Sequence, residues 1–387
     1  MGLKPLTILI GENGSGKSSI LEAISLFAQS IGGSGFALEG GLVSFPSFAF
    51  VAHKGETQRR IFISVVLNDD CYGYAYTPDT GAGAQGFSRM LGDREQVLFM
   101  LSLSLTGNVR EGFKCYLQLD SDNETVVPGN SLLPFLSAPP IDLLPGKQAE
   151  LKEAALVAER LAGALRNKVF PVFALRGGIP IHTEVFGGPP VWVSTGDRLL
   201  QILGVLKNPL YDRVQAPIEK WAQEFGLSRV GAAPGSLGHL QGYYVDPVFN
   251  VPLNLAVASH GAKQALTMIT QLFWAPPASV ILIEEPELSL HPAAQVELGE
   301  MFAEAIQEGK QIIASTHSHF LLLALSRAVE KGLKVEDIAV YHVTKGKEGT
   351  EAKTVKLSKR GYPLGWPPSY KKVELEIARK WAQDLAE

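Results

Sequence analysis

Short apolar runs alternate with stretches of helical spacing near both ends of the chain and predict an α/β fold. Leu6–Ile10 has the residues of a strand, a glycine-rich loop follows it, and residues 19–28 have helical spacing. From residue 262 onward the same alternation predicts a helix at 262–273, a strand at 280–283, a helix at 292–307, a strand at 311–314 and a helix at 318–330. Such alternation is typical of a parallel sheet covered by helices.

The remaining segments have a different pattern. Two segments, 60–67 and 115–119, either alternate between apolar and polar residues or are continuously apolar, which is typical of antiparallel strands. A third segment, 147–168, is rich in helix-forming residues at amphipathic spacing. The tail predicts a hairpin at 338–357, turning around 346–349, and a terminal helix at 371–386.

We therefore predict an α/β protein with a mixed or parallel core sheet, an antiparallel β subdomain and a helical lobe. Its expected segments are 1–135 with the first part of the core and the antiparallel region, 136–250 as the helical lobe, 251–335 as the second part of the core, and 336–387 as the hairpin and last helix.

Composition narrows the class of protein. Hydrophobic residues make up 46% of the chain and charged residues 19%, which excludes wholesale disorder. The net charge of −4 argues against a protein that coats nucleic acid by bulk charge. No apolar run reaches the roughly 18 residues that a membrane helix needs, so we expect no membrane span. Cys71 and Cys115 lie far apart without ligand-like neighbours, which favours a cytoplasmic protein.

The glycine-rich loop Gly11–Ser18 matches the pattern GxxxxGKS between a strand and a helix. In this pattern backbone N–H groups surround phosphates, Lys17 reaches the β- and γ-phosphates, and Ser18 holds Mg²⁺. A glycine turn with a solvated lysine is the alternative, but the flanking strand and helix argue against it. We expect the nucleotide to contact Asn13, Gly14, Ser15, Gly16, Lys17, Ser18 and Ser19.

Two adjacent carboxylates, Glu284 and Glu285, end the predicted strand at 280–283. Ligands of open α/β sheets bind at this end of the strands. Because successive strand residues point to opposite faces, we expect one carboxylate near Mg²⁺ and the other toward an attacking water. The alternative is a surface acidic turn that caps the next helix.

His317 follows the next predicted strand and would lie beside the acidic pair if the two strands are neighbours. There it could contact the γ-phosphate of a bound nucleotide. The alternative is a structural or capping histidine, which is the role we expect for His291 and His319.

Four segments in this order resemble the motifs of ABC-type ATPases of the RecF, SMC and OLD branch, often called AAA family ATPases. The resemblance pairs 11–18 with Walker A, 258–264 with the signature loop, 280–285 with Walker B, and His317 with the switch histidine. Residues 287–292 are similar to the D-loop of stand-alone OLD-like ATPases. The tail from 338 to 366 resembles a small C-terminal domain of unknown function found in some of them.

The resemblance implies ATP hydrolysis with Mg²⁺ in a head-to-tail dimer that forms on ATP. Ser259 and Gly261 would contact the partner's nucleotide, while Lys17, Glu285 and His317 would be catalytic. Ser18 and Glu284 would hold the metal. Within the motifs themselves the chain departs from the family pattern in two places, because Glu284 stands where aspartate is usual and His260 replaces the first glycine of the signature.

The function that this resemblance favours is an ATPase that gates a nucleic-acid or nuclease partner, of the DNA-repair or phage-defence type. Only a short tail follows His317, without an Asp-x-Asp cluster, so a nuclease activity would need a partner chain. DNA and a nuclease or other effector protein are therefore the candidate partners, beside ATP and a second copy of the chain.

Two alternatives remain open. One is an interaction module that is switched by nucleotide and hydrolyses slowly. The other is the nucleotide-binding subunit of a transporter, which is disfavoured because no segment between 40 and 120 resembles a Q-loop.

Overall fold

The structure is a computed structural model, and two compact units compose it: residues 1–21 with 170–387, and residues 22–169. It describes residues 1–30, 37–52, 55–56, six strands between 61 and 128, residues 163, 165, 167–184, 195–196, 198–235, 239–347 and 349–365. The predicted helix at 371–386 and nearly all of that at 147–168 lie outside the described residues. The predicted division into four segments stays a prediction.

The strands, in chain order, are β1 (Leu6–Ile10), β2 (Ile61–Leu67), β3 (Asp70–Thr77), β4 (Ala82–Leu91), β5 (Arg94–Ser104), β6 (Lys114–Asp120), β7 (Asn123–Pro128), β8 (Val169–Val172), β9 (His182–Thr183), β10 (Ser228–Pro234), β11 (Leu240–Val245), β12 (Pro252–Asn254), β13 (Val280–Glu284), β14 (Gln311–Thr316), β15 (Ile338–Lys345) and β16 (Thr350–Thr354). The α-helices are α1 (Lys17–Ser30), α2 (Leu199–Val205), α3 (Asp212–Glu224), α4 (His260–Trp274), α5 (Pro292–Gln307) and α6 (His319–Glu330). Single 3₁₀ turns lie at Phe48–Phe50, Pro209–Tyr211, Leu255–Val257 and Val335–Asp337.

A six-stranded sheet in the order β16-β15-β1-β14-β13-β8 forms the centre of the first unit. β1 is parallel to β14 and β15, and β13 is parallel to β14, while β16 closes one edge as an antiparallel hairpin with β15. Every residue of β1 is buried, as expected for a parallel strand with both faces covered. The predicted mixed α/β fold is therefore confirmed.

Helix α4 lies in the interior of the same unit. Eleven of its fifteen residues are buried, including the polar Gln264, Thr267, Thr270 and Gln271, so the helix is enclosed around most of its circumference. Together with α2, α5 and α6 it supplies most of the helical side of a continuous hydrophobic core that reaches the central sheet.

Two further sheets of the described residues are antiparallel. In the first unit, β10, β11 and β12 form a small sheet in that order, and β9 pairs with β11. In the second unit, β2 to β7 form a six-stranded meander in which each strand pairs with the next. Within the described residues, no helix is both long and apolar enough to cross a membrane.

Most elements predicted near the two ends of the chain are confirmed to within a few residues, and the helix predicted at 292–307 has the bounds of α5. His291 caps that helix by accepting from the amide of Ala293, the role expected for it. Strands as well as helices lie in the described part of 136–250, where the sequence indicated helices. β8, which borders β13, has only four residues and offers too little periodicity to be predicted.

Candidate functional site

Three parallel strands of the central sheet end at one edge. Register pairs Ile10 of β1 with Thr316 of β14, and Glu284 of β13 with Ser315. The segments that follow these strands are the glycine-rich loop, the acidic pair and the histidine, so the topology places all three at the carboxyl edge where open α/β sheets bind ligands.

The glycine-rich loop has a backbone that only glycine adopts easily at two positions. Gly14 has φ 71° and Gly16 has φ 100°. A Cβ at Gly16 would also overlap the side chain of Thr350, whose hydroxyl donates to the carbonyl oxygen of Ser15 at 3.0 Å. The hairpin of β15 and β16 therefore supports the loop from one side.

Lys17 is the first residue of α1, and its side chain folds back under the loop. Only 5% of the residue is exposed, and Nζ donates to the carbonyl oxygens of Gly11 and Glu12 at 3.0 Å each. Burial lowers the pKa of Lys17, and the negative charges of Glu285 and Glu287 oppose that shift. The ammonium is thus held beside the loop by acceptors that a phosphate oxygen can replace.

The loop fits a polyphosphate with its metal. Ser15 Oγ is buried and has no hydrogen-bond partner among the described residues, so the loop contains a polar atom available to a ligand. Asn13, Gly14, Ser18 and Ser19 are exposed around it. In the described part of the chain, no group of three or more His, Cys, Asp or Glu side chains could hold a metal ion.

Glu285 begins the turn after β13 in an unusual backbone conformation. Its φ is 43°, in the left-handed region that residues with a side chain rarely adopt. Its N–H donates to the carbonyl oxygen of Ser315 at 2.8 Å, which ties the turn to the end of β14. The carboxylate is 35% exposed, so it can reach solvent or a bound substrate.

His317 lies beside this carboxylate, as the sequence predicts for neighbouring strands. Its Nε2 is 3.6 Å from Oε1 of Glu285, and it also forms a hydrogen bond with the backbone of Gly11. Burial and the positive charge of Lys17 lower the pKa of His317, while Glu285, Glu287 and that backbone bond oppose the shift. The imidazole is therefore mainly neutral at pH 7, and its contact with Glu285 is not a full ion pair.

Glu284 is turned toward another part of the sheet. Its Oε2 accepts from the amide of Ala174, in the segment after β8, at 3.2 Å. The side chains of Glu284 and Glu285 therefore have different partners, and the catalytic role of Glu285 stays a prediction. The metal role of Glu284 stays a prediction.

Arg176 was not singled out by sequence, yet it is 1% exposed and donates to the end of β13. Nη1 bonds the carbonyl oxygens of Phe173 at 3.0 Å and Glu284 at 2.6 Å, and Nη2 bonds that of Glu285 at 2.8 Å. Burial lowers its pKa to about 10, and the charges of Glu287, Glu285 and Glu284 oppose that shift. The guanidinium therefore stays charged at neutral pH.

Glu287 is a second residue whose role the sequence did not reveal. Its Oε1 accepts from the hydroxyl of Thr316 at 2.7 Å and from the amides of His317 at 2.9 Å and Ser318 at 3.1 Å. One carboxylate oxygen thus fixes the backbone on both sides of the imidazole. In the sequence it was marked only by its place two residues after Glu285 and by the D-loop resemblance of 287–292, and neither indicates these contacts.

The signature-like segment lies at the start of α4. Ser259 is exposed and caps the helix, because its Oγ accepts from the amide of Ala262 at 3.2 Å. Nε2 of His260 lies 2.8 Å from Nε2 of Gln264, one turn further along the same helix. A Cβ at Gly261 would overlap the carbonyl oxygen of Ser289, so this glycine is needed for packing within the chain. The contacts of Ser259 and Gly261 with a partner's nucleotide stay a prediction.

The family described as "AAA domain, putative AbiEii toxin, Type IV TA system" matches residues 6–101 and 160–324, more than half of the chain. The chain belongs to this AAA family. Both matched segments contain site residues, because the first includes the glycine-rich loop and the second includes Ser259, Glu285 and His317. The family assignment made from the motifs is thereby confirmed, and the protein is a nucleotide-binding ATPase domain by family.

Solved structures similar to this chain include SMC head domains. The head domain from Thermotoga maritima has a TM-score of 0.38 and 16% identity, covering 92% of this chain and 93% of its own. An SMC head bound to the C-winged helix domain of ScpA has a TM-score of 0.45 and 13% identity, covering 92% and 91%. The head from Pyrococcus furiosus, with an extended coiled coil and the C-terminal domain of ScpA, has a TM-score of 0.42 and 12% identity, covering 100% and 95%. No curated protein sequence matches significantly.

Proposed function

We propose that this AAA domain hydrolyses ATP to ADP and phosphate, in a head-to-tail dimer that forms on ATP. The observation that carries the proposal is the meeting of Lys17, Glu285 and His317 at one edge of the sheet. A phosphate-binding cation, a carboxylate that can take a proton from water and an imidazole that can donate a hydrogen bond together suit hydrolysis of a terminal phosphate.

In this proposal each residue acts at a stated atom. Lys17 leaves the carbonyl oxygens of Gly11 and Glu12 and donates to the β- and γ-phosphates. Glu285 accepts a proton from the attacking water through its exposed carboxylate. His317, neutral at pH 7, has a single ring N–H, which would leave the backbone of Gly11 and donate to the γ-phosphate region when the nucleotide binds. Ser18 and Glu284 would hold Mg²⁺, which would neutralise phosphate charge when bound.

The proposed dimer uses the start of α4 in trans. Ser259 is exposed and the helix has fifteen residues, so its N-terminal amides present a positive end to an anion outside the subunit. In a head-to-tail dimer that anion would be the γ-phosphate bound to the loop of the other subunit. Gly261 would allow close approach there while it packs against Ser289 within its own chain.

The dimer would control a nucleic-acid or nuclease partner in the cytoplasm, in a repair or phage-defence role. The motif resemblance supports this part of the proposal, and the absence of a membrane-spanning helix among the described residues is compatible with it.

A nucleotide-switched interaction module with slow hydrolysis is the second candidate. The observation in its favour is the hydrogen bond from the amide of Ala174 to Oε2 of Glu284. That bond occupies one oxygen of the carboxylate which stands where the related ATPases have an aspartate. Mg²⁺ would then be held less directly and turnover would fall.

Turnover and mass measured together test the proposal and separate the two candidates. Purified protein is assayed for phosphate release with and without duplex DNA, while light scattering follows its mass with ATP, with ADP and without nucleotide. The proposal expects steady release and a dimer that forms with ATP. Dimerisation on ATP with release at the background rate supports the interaction module, and neither dimer nor release contradicts both.

A further inference from the structure

We propose that Arg176 is a positioning residue for ATP hydrolysis, which holds the backbone of Glu284 and Glu285 so that the carboxylate of Glu285 faces the catalytic edge. This inference rests on the proposed function. Arg176 acts through Glu285 and not on the nucleotide itself.

The backbone at Glu285 needs external support. Its positive φ is unfavourable for a residue with a side chain and persists only where the surroundings fix it. The amide is fixed by Ser315, and the carbonyl oxygen accepts from Nη2 of Arg176 at 2.8 Å as well as from the amide of Leu288 at 3.0 Å. Arg176 is thus the side chain that holds the carbonyl side of this residue.

The guanidinium suits this task because its donors form a planar fork. Nη1 and Nη2 reach the carbonyl oxygens of two consecutive residues, Glu284 and Glu285, at 2.6 and 2.8 Å. A lysine has a point charge on a flexible chain and cannot hold two carbonyl groups in a fixed relation. Substitution by lysine therefore keeps the buried charge near the three glutamates and removes the fixed geometry.

The segment that carries Arg176 is itself fixed on both sides. The amide of Ala174 donates to the carboxylate of Glu284 at 3.2 Å, and the amide of Gly177 donates to the carbonyl oxygen of Thr195 at 2.9 Å. Gly177 has φ 102°, and a Cβ there would approach the amide nitrogen of Gln264 in α4 at 3.2 Å. The backbone that carries the Arg176 guanidinium is therefore fixed by hydrogen bonds and by close packing.

The test compares Arg176→Lys, Glu285→Gln and the double variant with the parental protein. We expect Arg176→Lys to lower kcat by about 10-fold or more while the ATP Kd changes by less than about threefold, because only the hydrolytic group is displaced. In the Glu285→Gln background the same change should lower the residual rate no further, because the group through which Arg176 acts is already gone. Lys310→Arg is the matched control, since Lys310 is another buried cation, immediately before β14, and pairs with Glu308.

A second pair of variants keeps the test decisive if Arg176→Lys fails to fold. Gly177→Ala strains the residue next to Arg176, whereas at Gly178 the nearest atom to an added Cβ is the carbonyl oxygen of Thr195 at 3.8 Å, an ordinary contact. We expect Gly177→Ala to lower kcat with ATP affinity retained, and Gly178→Ala to leave both unchanged.

Five outcomes would count against this inference, and the last two of them also contradict the function on which it rests. Parental kcat in Arg176→Lys, or in Gly177→Ala where the lysine variant does not fold, overturns the positioning role. The positioning role is also overturned if Arg176→Lys lowers kcat by the same factor in the Glu285→Gln background as in the parental protein. A loss of ATP binding that parallels the loss of kcat overturns it as well, because either result is expected of a residue that only stabilises the fold. If Glu285→Gln itself hydrolyses at the parental rate, or the parental protein does not hydrolyse ATP, the proposed function fails and this inference fails with it.

Discussion

Nε2 of His317 lies 3.6 Å from Oε1 of Glu285, although the two residues follow different strands. The contact exists because β13 and β14 are parallel neighbours whose register places Glu284 opposite Ser315, so that the next residues of both strands leave the sheet together. Burial and Lys17 keep the imidazole mainly neutral, with its lowered pKa, in the absence of nucleotide.

The lowered pKa of His317 predicts a dependence of stability on pH. In the unfolded chain a histidine takes up its proton near pH 6.5, whereas in the folded protein it does so at lower pH. As pH falls through about 6.5 the unfolded state binds more protons, so the free energy of unfolding decreases.

We expect the parental protein to lose more stability than His317→Gln between about pH 7.5 and pH 5.5, measured by urea unfolding. His342, whose pKa is also lowered by burial, contributes equally to both proteins, so only the difference between them is diagnostic. Identical pH dependence in the two proteins would show that His317 is not held in its neutral form.

Lys17→Ala should lower ATP affinity by about 100-fold or more, because it removes the ammonium group that would donate to the phosphate oxygens in place of the backbone carbonyl oxygens of Gly11 and Glu12. Titration with a fluorescent ATP analogue measures the affinity, and the circular dichroism spectrum checks that the protein is folded. Lys4→Ala is the matched control, because Lys4 is an exposed lysine in the same unit. ATP binding at parental strength in Lys17→Ala would contradict the phosphate role of the loop.

The sequence predicted those parts of the site where the chemistry requires a particular type of residue at a fixed position. A phosphate loop needs glycine at 16 and lysine at 17 in a fixed spacing, and Glu285 and His317 each follow directly after an apolar strand that is long enough to be predicted. Sheet order then brings them together.

Arg176 could not be found in this way. It follows a strand of four residues, and its acceptor at Glu284 lies 108 positions later, so no local pattern reveals the contact. Its N–H groups donate to backbone carbonyl oxygens, which every residue has. The side chains of the accepting residues therefore do not reveal these contacts in the sequence. The left-handed backbone at Glu285 is likewise a consequence of tertiary bonds rather than of local preference.

Glu287→Ala should destabilise the protein by about 2–4 kcal/mol, because one hydroxyl and two amides lose their shared acceptor. Glu287→Gln keeps a carbonyl oxygen that can accept the same bonds, and we expect it to cost about 1 kcal/mol or less. Urea unfolding of both variants measures the difference. Equal destabilisation by the two changes would mean that the charge of Glu287, not its accepted hydrogen bonds, stabilises the end of β14.

Glu285→Gln should keep ATP bound and slow hydrolysis by on the order of 100-fold or more, since the amide preserves shape but cannot take a proton. The dimer should then accumulate with ATP. Single-turnover phosphate release measures the rate, with Glu330→Gln as a control at an exposed glutamate of α6. Hydrolysis at the parental rate in Glu285→Gln would assign the base to another residue.

Ser259→Arg tests the trans contact of the proposed dimer. Ser259 is exposed at the start of α4, so an arginine there can be accommodated in the free subunit but would crowd a second subunit docked at that helix end. We expect ATP binding by the monomer to stay near the parental value, while ATP-dependent dimerisation and turnover fall by about 10-fold or more. Ser47→Arg, at an exposed serine of the second unit, controls for the added charge.

Mixing Ser259→Arg with Lys17→Ala makes the test stricter. A mixed dimer has one composite site with the intact loop of the first chain and the intact Ser259 of the second, whereas its other site carries both defects. Random pairing of equal amounts should therefore restore up to about a quarter of parental turnover, from two variants that are each nearly inactive alone. Light scattering and phosphate release follow the mixture as the ratio of the two chains is varied. Activity that merely averages the two separate proteins would mean that Ser259 acts within its own subunit, and a Ser259→Arg protein that dimerises and hydrolyses normally would exclude this helix end from the interface.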